Sequence, residues 1–344
     1  MSLGRIKVFL GSKEARKKPL RLIGESAQRL GFDCEMVTGL HYSDCDVAVI
    51  WGLIKKDKPT WGEAAIRRHE LRRAILERHQ GQTVVIEAPA IGRRVRAPGS
   101  KPWILHKLFP ASAPWTRLLL PERFYKNDPF HHYRVGLGGF GDDGGLALAG
   151  HAPPRWQALS SQLGIPPVKP WRRDGRHILV VGQVPGDASL RGIDIHDWIL
   201  RSCTELRGLT GRPIVVRLHP LARGAGMAEL PGRLAPLGVT LADVNRPMAE
   251  SLEDAWAVVT YSSGAAIDAL LAGVPAIATS PASFAWEVTD HALASAVSPT
   301  LHDREPWLER LAAAHWSEEE LESGAVWTAL SGAIESSRQR RAAQ

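Results

Sequence analysis

Lysine is missing from the second half of this chain: the last one is Lys169. The absence divides the charge. Residues 1–170 hold 27 Lys and Arg against 15 Asp and Glu, an excess of +12, whereas residues 171–344 hold 16 against 21. Any polyanionic partner is therefore expected to meet the first half. Cysteine is scarce and odd in number (Cys34, Cys45, Cys203), without metal-ligand spacing, which argues against a disulfide framework or a zinc module and suits a reducing cytoplasm. No run approaches the roughly 18–20 apolar residues of a bilayer span, and the opening "MSLGRIKVFLGSKEARKK" reads as a strand rather than a signal-peptide core. The segment "VGQVPGDAS" is neither a Gly-Lys-Ser/Thr phosphate loop nor a GxGxxG fingerprint. What remains, at 344 residues with 44% hydrophobic and 23% charged content, is the profile of a globular enzyme of two domains.

Strand and helix patterns alternate along both halves. "RIKVFLG", "FDCEMV", "DVAVIWG" and "TVVIEAP" read as strands, with helices over "KPLRLIGESAQRLG" and "WGEAAIRRHELRRAILERHQG". From Ala90 to about Pro170 the pattern reads as long loops, a length usually tied to function. The proline-rich "LGIPPVKPWRRDG" marks a linker, so the expected domains are 1–170 and 171–344. The rhythm then restarts with strands "HILVVGQ", "PIVVRLHP", "GVTLAD", "AWAVVTYSS" and "PAIATS", and helices "IHDWILRSCTELRG" and "AAIDALLAG". The tail "WSEEELESGAVWTALSGAIESSRQRR" reads as helical and is assigned to the second domain. The fold class this implies is α/β, with two doubly wound Rossmann-like domains facing a central cleft at the carboxyl ends of their strands.

Ser262-Ser263-Gly264 falls where strand "AWAVVTY" meets helix "AAIDALLA". Unpaired amides and the positive end of a helix dipole favour an anion there, although serine is also an ordinary N-cap. His219-Pro220 ends "PIVVRLHP" at the same edge, and a histidine beside a helix start makes a cradle for phosphate. In "VGQVPGDAS", Gly182 and Gly186 allow close backbone approach and Gln183 supplies an amide. Asp187 is read either as a base or as the cap of an Asx turn. "DCD" (Asp44 to Asp46) precedes its strand and "DIHD" (Asp194 to Asp197) opens a helix, so both read as turns or caps, and no metal is implied.

His-Pro, Ser-Ser-Gly and "AIDALLAGVPAIA" together resemble the C-terminal donor domain of GT-B glycosyltransferases. The resemblance is to the branch with capsule-polysaccharide (Kdo-type) transferases, sialyltransferases and teichoic-acid glycerophosphotransferases. "ILVVGQVPGDAS" resembles that domain's first strand and loop in the capsule branch, and the likeness spans about Ile178 to Pro281. It implies donor-phosphate contacts from His219, Ser262 and Ser263, and a ribose contact from Asp268. It implies a nucleotide-sugar co-substrate, UDP- or CMP-linked, with no other cofactor.

An inverting enzyme would also need a base for the acceptor hydroxyl in the first domain. The candidates are Glu87 in "VVIEAP", Asp142 and Asp143 in "GGFGDDGG", and His131-His132; the sequence does not choose among them. Trp51, Trp61, Trp103 and Trp115, interleaved with "IRRHELRR" and "IGRRVRAPGSKPW", suit splayed bases, phosphates or sugars. "DVAVIWG" and "HWSEEELESGAVW" resemble phage-associated glycosyltransferases. With the basic first half they favour 5-hydroxymethylpyrimidine in DNA as acceptor, in the host cytoplasm if the chain is phage-encoded. A capsule, lipopolysaccharide or teichoic glycan, with peripheral contact to anionic lipid, is the alternative. A sugar-nucleotide epimerase or a silent binding module is the third reading.

Overall fold

The computed structural model describes residues 3–11, 14–52, 63–91, 132–138, 148, 150–220, 222 and 225–343. In chain order the first elements are β1 (Ile6–Phe9), α1 (Glu14–Arg29), β2 (Cys34–Val37), β3 (Val47–Trp51), α2 (Glu63–Arg78), β4 (Gln82–Glu87), β5 (His132–Leu137) and α3 (Trp156–Leu163). Then follow β6 (His177–Val181), α4 (Ile195–Leu209), β7 (Ile214–Arg217), α5 (Ala225–Leu234), β8 (Thr240–Leu241), α6 (Met248–Leu252), β9 (Ala255–Thr260), α7 (Ala265–Leu271) and β10 (Ala276–Ala278). The chain closes with α8 (Glu305–Ala313), β11 (His315–Ser317), α9 (Glu318–Ser323) and α10 (Ala325–Ala342).

Two sheets result. The second has the order β10-β9-β6-β7-β8, every pair parallel. Its order reverses between β6 and β9, the switch point outside which open α/β sheets bind ligands. The first has the order β11-β5-β4-β3-β1-β2, with β1 to β4 parallel. The expected class, two doubly wound Rossmann-like domains, is the observed one. Helix periodicity explains the packing: α4 buries Ile195, Trp198, Ile199, Ser202, Cys203 and Leu206, spaced three and four apart on one stripe, and Asp194 caps its start.

The first sheet is mixed where an all-parallel one was expected. β5 pairs antiparallel with β4, and β11 antiparallel with β5. "HHYRVGL" reads as loop because two of its inward residues are polar. Yet all six residues of β5 are buried, Arg134 to 2% exposure. Both faces are covered, so no alternation of apolar and polar residues marks the strand.

The domain boundaries also cross. Residues 156–170 were expected in the first domain, but Leu159 joins the core of the second, with Trp156, Leu163 and Val168 packed against it. The C-terminal tail does the reverse. Trp316, Leu321, Val326, Trp327, Leu330 and Ile334 enter the first domain's core, and the Trp327 indole donates to the Ile23 carbonyl at 2.9 Å. The tail helix is broken in two at Gly324 (φ 86), and α9 opens on a capping box between Ser317 and Glu320. The linker is docked rather than loose: Lys169 N–H donates to Leu271 O (2.9 Å) and Arg172 N–H to Gly273 O (2.7 Å), while Arg304 stacks on Trp171.

The two carboxyl edges meet. Arg134, the Cα partner of Glu87 across the β4–β5 ladder, lies with its guanidinium 4.5 Å from the ring centre of Phe284, in the loop after β10. Ile91, just past β4, belongs to the second domain's core cluster.

Candidate functional site

Register fixes the site before any side chain is considered. Val181 pairs with Arg217 on one side and Thr260 on the other, so the three strand ends share a row. His219, Gln183 and Ser262 each stand two residues beyond that row. All three therefore follow directly from the carboxyl edge at the switch point. Residues 79 apart in sequence then bond directly. Gln183 Oε1 accepts from Ser262 N–H (2.8 Å), and Gln183 Nε2 donates to the hydroxyls of Ser262 and Ser189 (3.1 Å each). The Ser189 hydroxyl donates to Asp187 Oδ1 (2.9 Å), which also accepts Ser189 N–H (3.0 Å). Gln183 and Ser262 are 7% and 6% exposed, so this network is an internal staple between two strand ends.

The twin serines therefore do different work. Ser262 is buried and satisfied. Ser263 is half-buried: its N–H donates to Thr260 Oγ1 (2.8 Å) and its Oγ accepts from Ala265 N–H (3.3 Å), which leaves the hydroxyl proton to donate elsewhere. Gly264 is exposed at the start of α7, and Asp268 is exposed one turn on, on the same face. His219 is half-buried, in a turn closed by Ala222 N–H to its carbonyl at 2.8 Å.

The glycines divide as well. A Cβ at Gly182 would stand 3.1 Å from Ile199 Cδ1, so this glycine serves packing of β6 against α4. Gly186 turns the chain at φ +71 in the open. Asp187 caps the 3-10 turn Ala188–Leu190, which is the Asx-turn alternative. Glu87 ends β4 half-buried, opposite Arg134. Asp142, Asp143 and His131 lie outside the described residues, as do Trp61, Trp103 and Trp115. His132 is buried with Nε2 3.2 Å from Ile91 O, and Trp51 packs edge-on to Tyr133.

Sequence reading missed two participants. Ser189 sits inside the quoted "VGQVPGDAS" and is the staple's third hydroxyl. Arg217, two residues before His219, is a charge at the end of an apolar strand, and that was the available signal. Its guanidinium is buried and reaches Asp243 O (3.0 Å), Ser251 Oγ (2.9 Å), Val244 O (3.4 Å) and Arg246 O. Burial pulls its pKa below the ordinary value, against the pull of Asp243 and Glu250.

Two cavities lie away from this row. One of about 670 Å³ lies beside the amino ends of β1 and β3 and includes Arg5, Asp33, Asp44 and Asp46; another of about 560 Å³ lies between α2 and residues 40–42. In the first, Asp46 Oδ2 accepts Arg5 N–H at 2.7 Å, so the carboxylate ties the start of β3 to the start of β1. Asp194 of "DIHD" accepts from His196 N–H and Asp197 N–H as a helix cap. Among the described residues no three His, Cys, Asp or Glu side chains are grouped to hold a metal ion, and no helix is long and apolar enough to cross a membrane.

No family model and no curated protein matches the chain. Among solved structures it is similar to the β-Kdo 2,7 transferase of Thermosulfurimonas dismutans KpsC, at 14% identity and a TM-score of 0.46, over 95% of this chain and 99% of that one. The β-Kdo 2,4 transferase of the same protein gives 16% and 0.43, over 90% and 89%. Methanocaldococcus jannaschii UDP-GlcNAc 2-epimerase, solved with UDP-GlcNAc and UDP, gives 12% and 0.27, over 90% and 98%.

Proposed function

We propose that the chain is a glycosyltransferase that moves a sugar from a UDP- or CMP-sugar to a hydroxyl of a capsule- or lipopolysaccharide-type glycan, without a divalent metal. The observation that carries this reading is that His219, Gln183 and Ser262 each lie two residues past one paired row at the switch point of the second sheet. The capsule-branch motif in which these residues stand supports the choice of glycan.

In this reading the donor's phosphate lies against His219, the Ser263 hydroxyl and the Gly264 amide, and Asp268 reaches the ribose. Gln183 and Ser262 hold the two strand ends at the spacing the phosphate needs. Glu87, on the facing edge, takes the proton of the acceptor hydroxyl as its oxygen attacks the anomeric carbon. The bond to phosphate oxygen breaks, and its electron pair leaves with the nucleotide, where fixed donors stabilise the charge. Asp187 contributes by orienting Ser189, not as the base.

A DNA acceptor is favoured by one observation, the basic first half. Residues 92–131, outside the described set, hold eight Lys and Arg against two Asp and Glu. Retention on DNA resin at low salt, with turnover on hydroxymethylated DNA but on no glycan, would select that acceptor. Conversion of a nucleotide sugar with no acceptor present would select an epimerase.

The test of the main reading is a panel of UDP-, CMP- and GDP-sugars with EDTA present, comparing wild type with His219→Ala. Turnover that survives EDTA and falls by orders of magnitude in the variant supports it. Strict dependence on added Mn²⁺, or full activity of the variant, refutes it.

A further inference from the structure

We propose that Arg217 is a positioning residue that sets donor affinity by holding the loop after β8 against the strand end that carries His219; this rests on the nucleotide-sugar reading of the site. The guanidinium is 5% exposed, and its partners are three backbone carbonyls and one hydroxyl, not a carboxylate. Burying a cation with no carboxylate bonded to it is costly, and the Asp243 and Glu250 charges offset only part of that cost. What it obtains here is shape: Asp243, Val244 and Arg246 all turn their carbonyls onto one planar fork.

The same loop is pinned from two other directions. Ala242 N–H donates to Val216 O at 2.9 Å, which extends the β7–β8 ladder by one bond. Asp243 Oδ1 accepts Asn245 N–H (2.9 Å) and Asn245 Nδ2 (3.0 Å), closing the turn on itself. Asp243, Asn245, Arg246 and Pro247 are exposed at the carboxyl end of β8, next to the strand end bearing His219. A segment so tightly tied, yet exposed at the rim of the switch-point edge, is a preformed wall for a ligand. Preorganisation of this kind raises affinity by removing the ordering cost on binding.

Lysine cannot reproduce the arrangement. Its ammonium is one point on a flexible stem, whereas the four acceptors are spread around the guanidinium plane. Arg217→Lys should weaken binding of CMP or UDP, whichever wild type binds, by about tenfold, as expected when one or two hydrogen bonds of preorganisation are lost. The donor KM should rise in step while kcat per folded molecule and the acceptor KM stay near wild type. Ser251→Ala removes one partner and should weaken nucleotide binding in the same direction, by about two- to fivefold.

The experiment is calorimetric titration of wild type and both variants with CMP, UDP and GDP, then donor and acceptor kinetics at matched active fraction. If Arg217→Lys does not fold, Ser251→Ala decides. Wild-type nucleotide affinity in the folded variants overturns the role of Arg217 and leaves the donor site standing. Absence of nucleotide binding by wild type overturns the donor site itself, and the inference with it. A variant that loses kcat at unchanged donor KM overturns the positioning role.

Discussion

Replacing Gln183 with methionine keeps the side chain's length and removes its amide. Four bonds disappear: those accepted from Ser262 N–H at 2.8 Å and Ser262 Oγ at 3.3 Å, and those donated to Ser262 Oγ and Ser189 Oγ at 3.1 Å. The hydroxyls keep partners, since Ser189 retains Asp187 Oδ1 at 2.9 Å and Ser262 Oγ retains Ser189 O at 3.3 Å. The Ser262 amide has no substitute and stays buried. A stranded buried donor costs about 1–3 kcal/mol, and each ordinary bond lost adds about 0.5–1.5 kcal/mol. The expected loss is therefore about 2–4 kcal/mol, because the two hydroxyls recover most of theirs. For a cooperative unit of roughly 150–250 residues that lowers Tm by roughly 5–15 °C. Thermal and urea unfolding of wild type and Gln183→Met measure it directly, and nucleotide titration should weaken in parallel as the two strand ends part. A variant within about 0.5 kcal/mol of wild type would refute the staple, because no other group in the network can satisfy the Ser262 amide.

Three further outcomes are expected. His315 is fully enclosed, donating from Nδ1 to Leu311 O (2.7 Å) and accepting Ala90 N–H at Nε2 (2.9 Å); burial, with His132, Arg134 and Arg155 nearby, pushes its pKa down from 6.5 to about 3. The unfolded chain then binds one more proton than the native one between those values, so this histidine's contribution is complete above pH 6.5 and declines as pH falls. The slope from this group approaches about 1.4 kcal/mol per pH unit, and urea unfolding of His315→Gln across that range should be flatter than wild type; parallel curves would contradict the assignment. Gly273→Ala places a Cβ 2.0 Å from Pro170 O at φ +75, so unfolding should register a loss of at least about 2 kcal/mol, and a wild-type Tm would show that the linker is not docked there. Trp327→Ala empties a fully buried site and removes the bond to Ile23 O, for about 3–5 kcal/mol by urea titration; a loss under about 1 kcal/mol would detach the tail from the first domain.

How legible the molecule was depends on the range of the interaction concerned. β1, β3, β4, β6, β7 and β9 stand where their β-branched runs place them, because a strand buried in a parallel sheet announces itself by composition over four to six residues. β5 and β11 escaped, since His132, Arg134 and His315 are polar residues buried by partners from distant parts of the chain. The same limit applies to the site. "VGQVPGDAS" and "TYSSG" were recognisable as strand-to-loop junctions, and local turn chemistry was enough to offer a cap as the alternative for Asp187.

Most strands of both sheets, and the edge on which His219, Gln183 and Ser262 fall, follow from the sequence alone, because both are set by short-range periodicity. Tertiary structure alone decided that Gln183 bonds Ser262, that Ser263 keeps a hydroxyl proton for another partner, and that Arg217 grips the loop after β8. It also decided that the tail crosses back to the first domain while residues 156–170 join the second. These pairings depend on which strands become neighbours and in what register, and that is fixed only when the whole sheet forms.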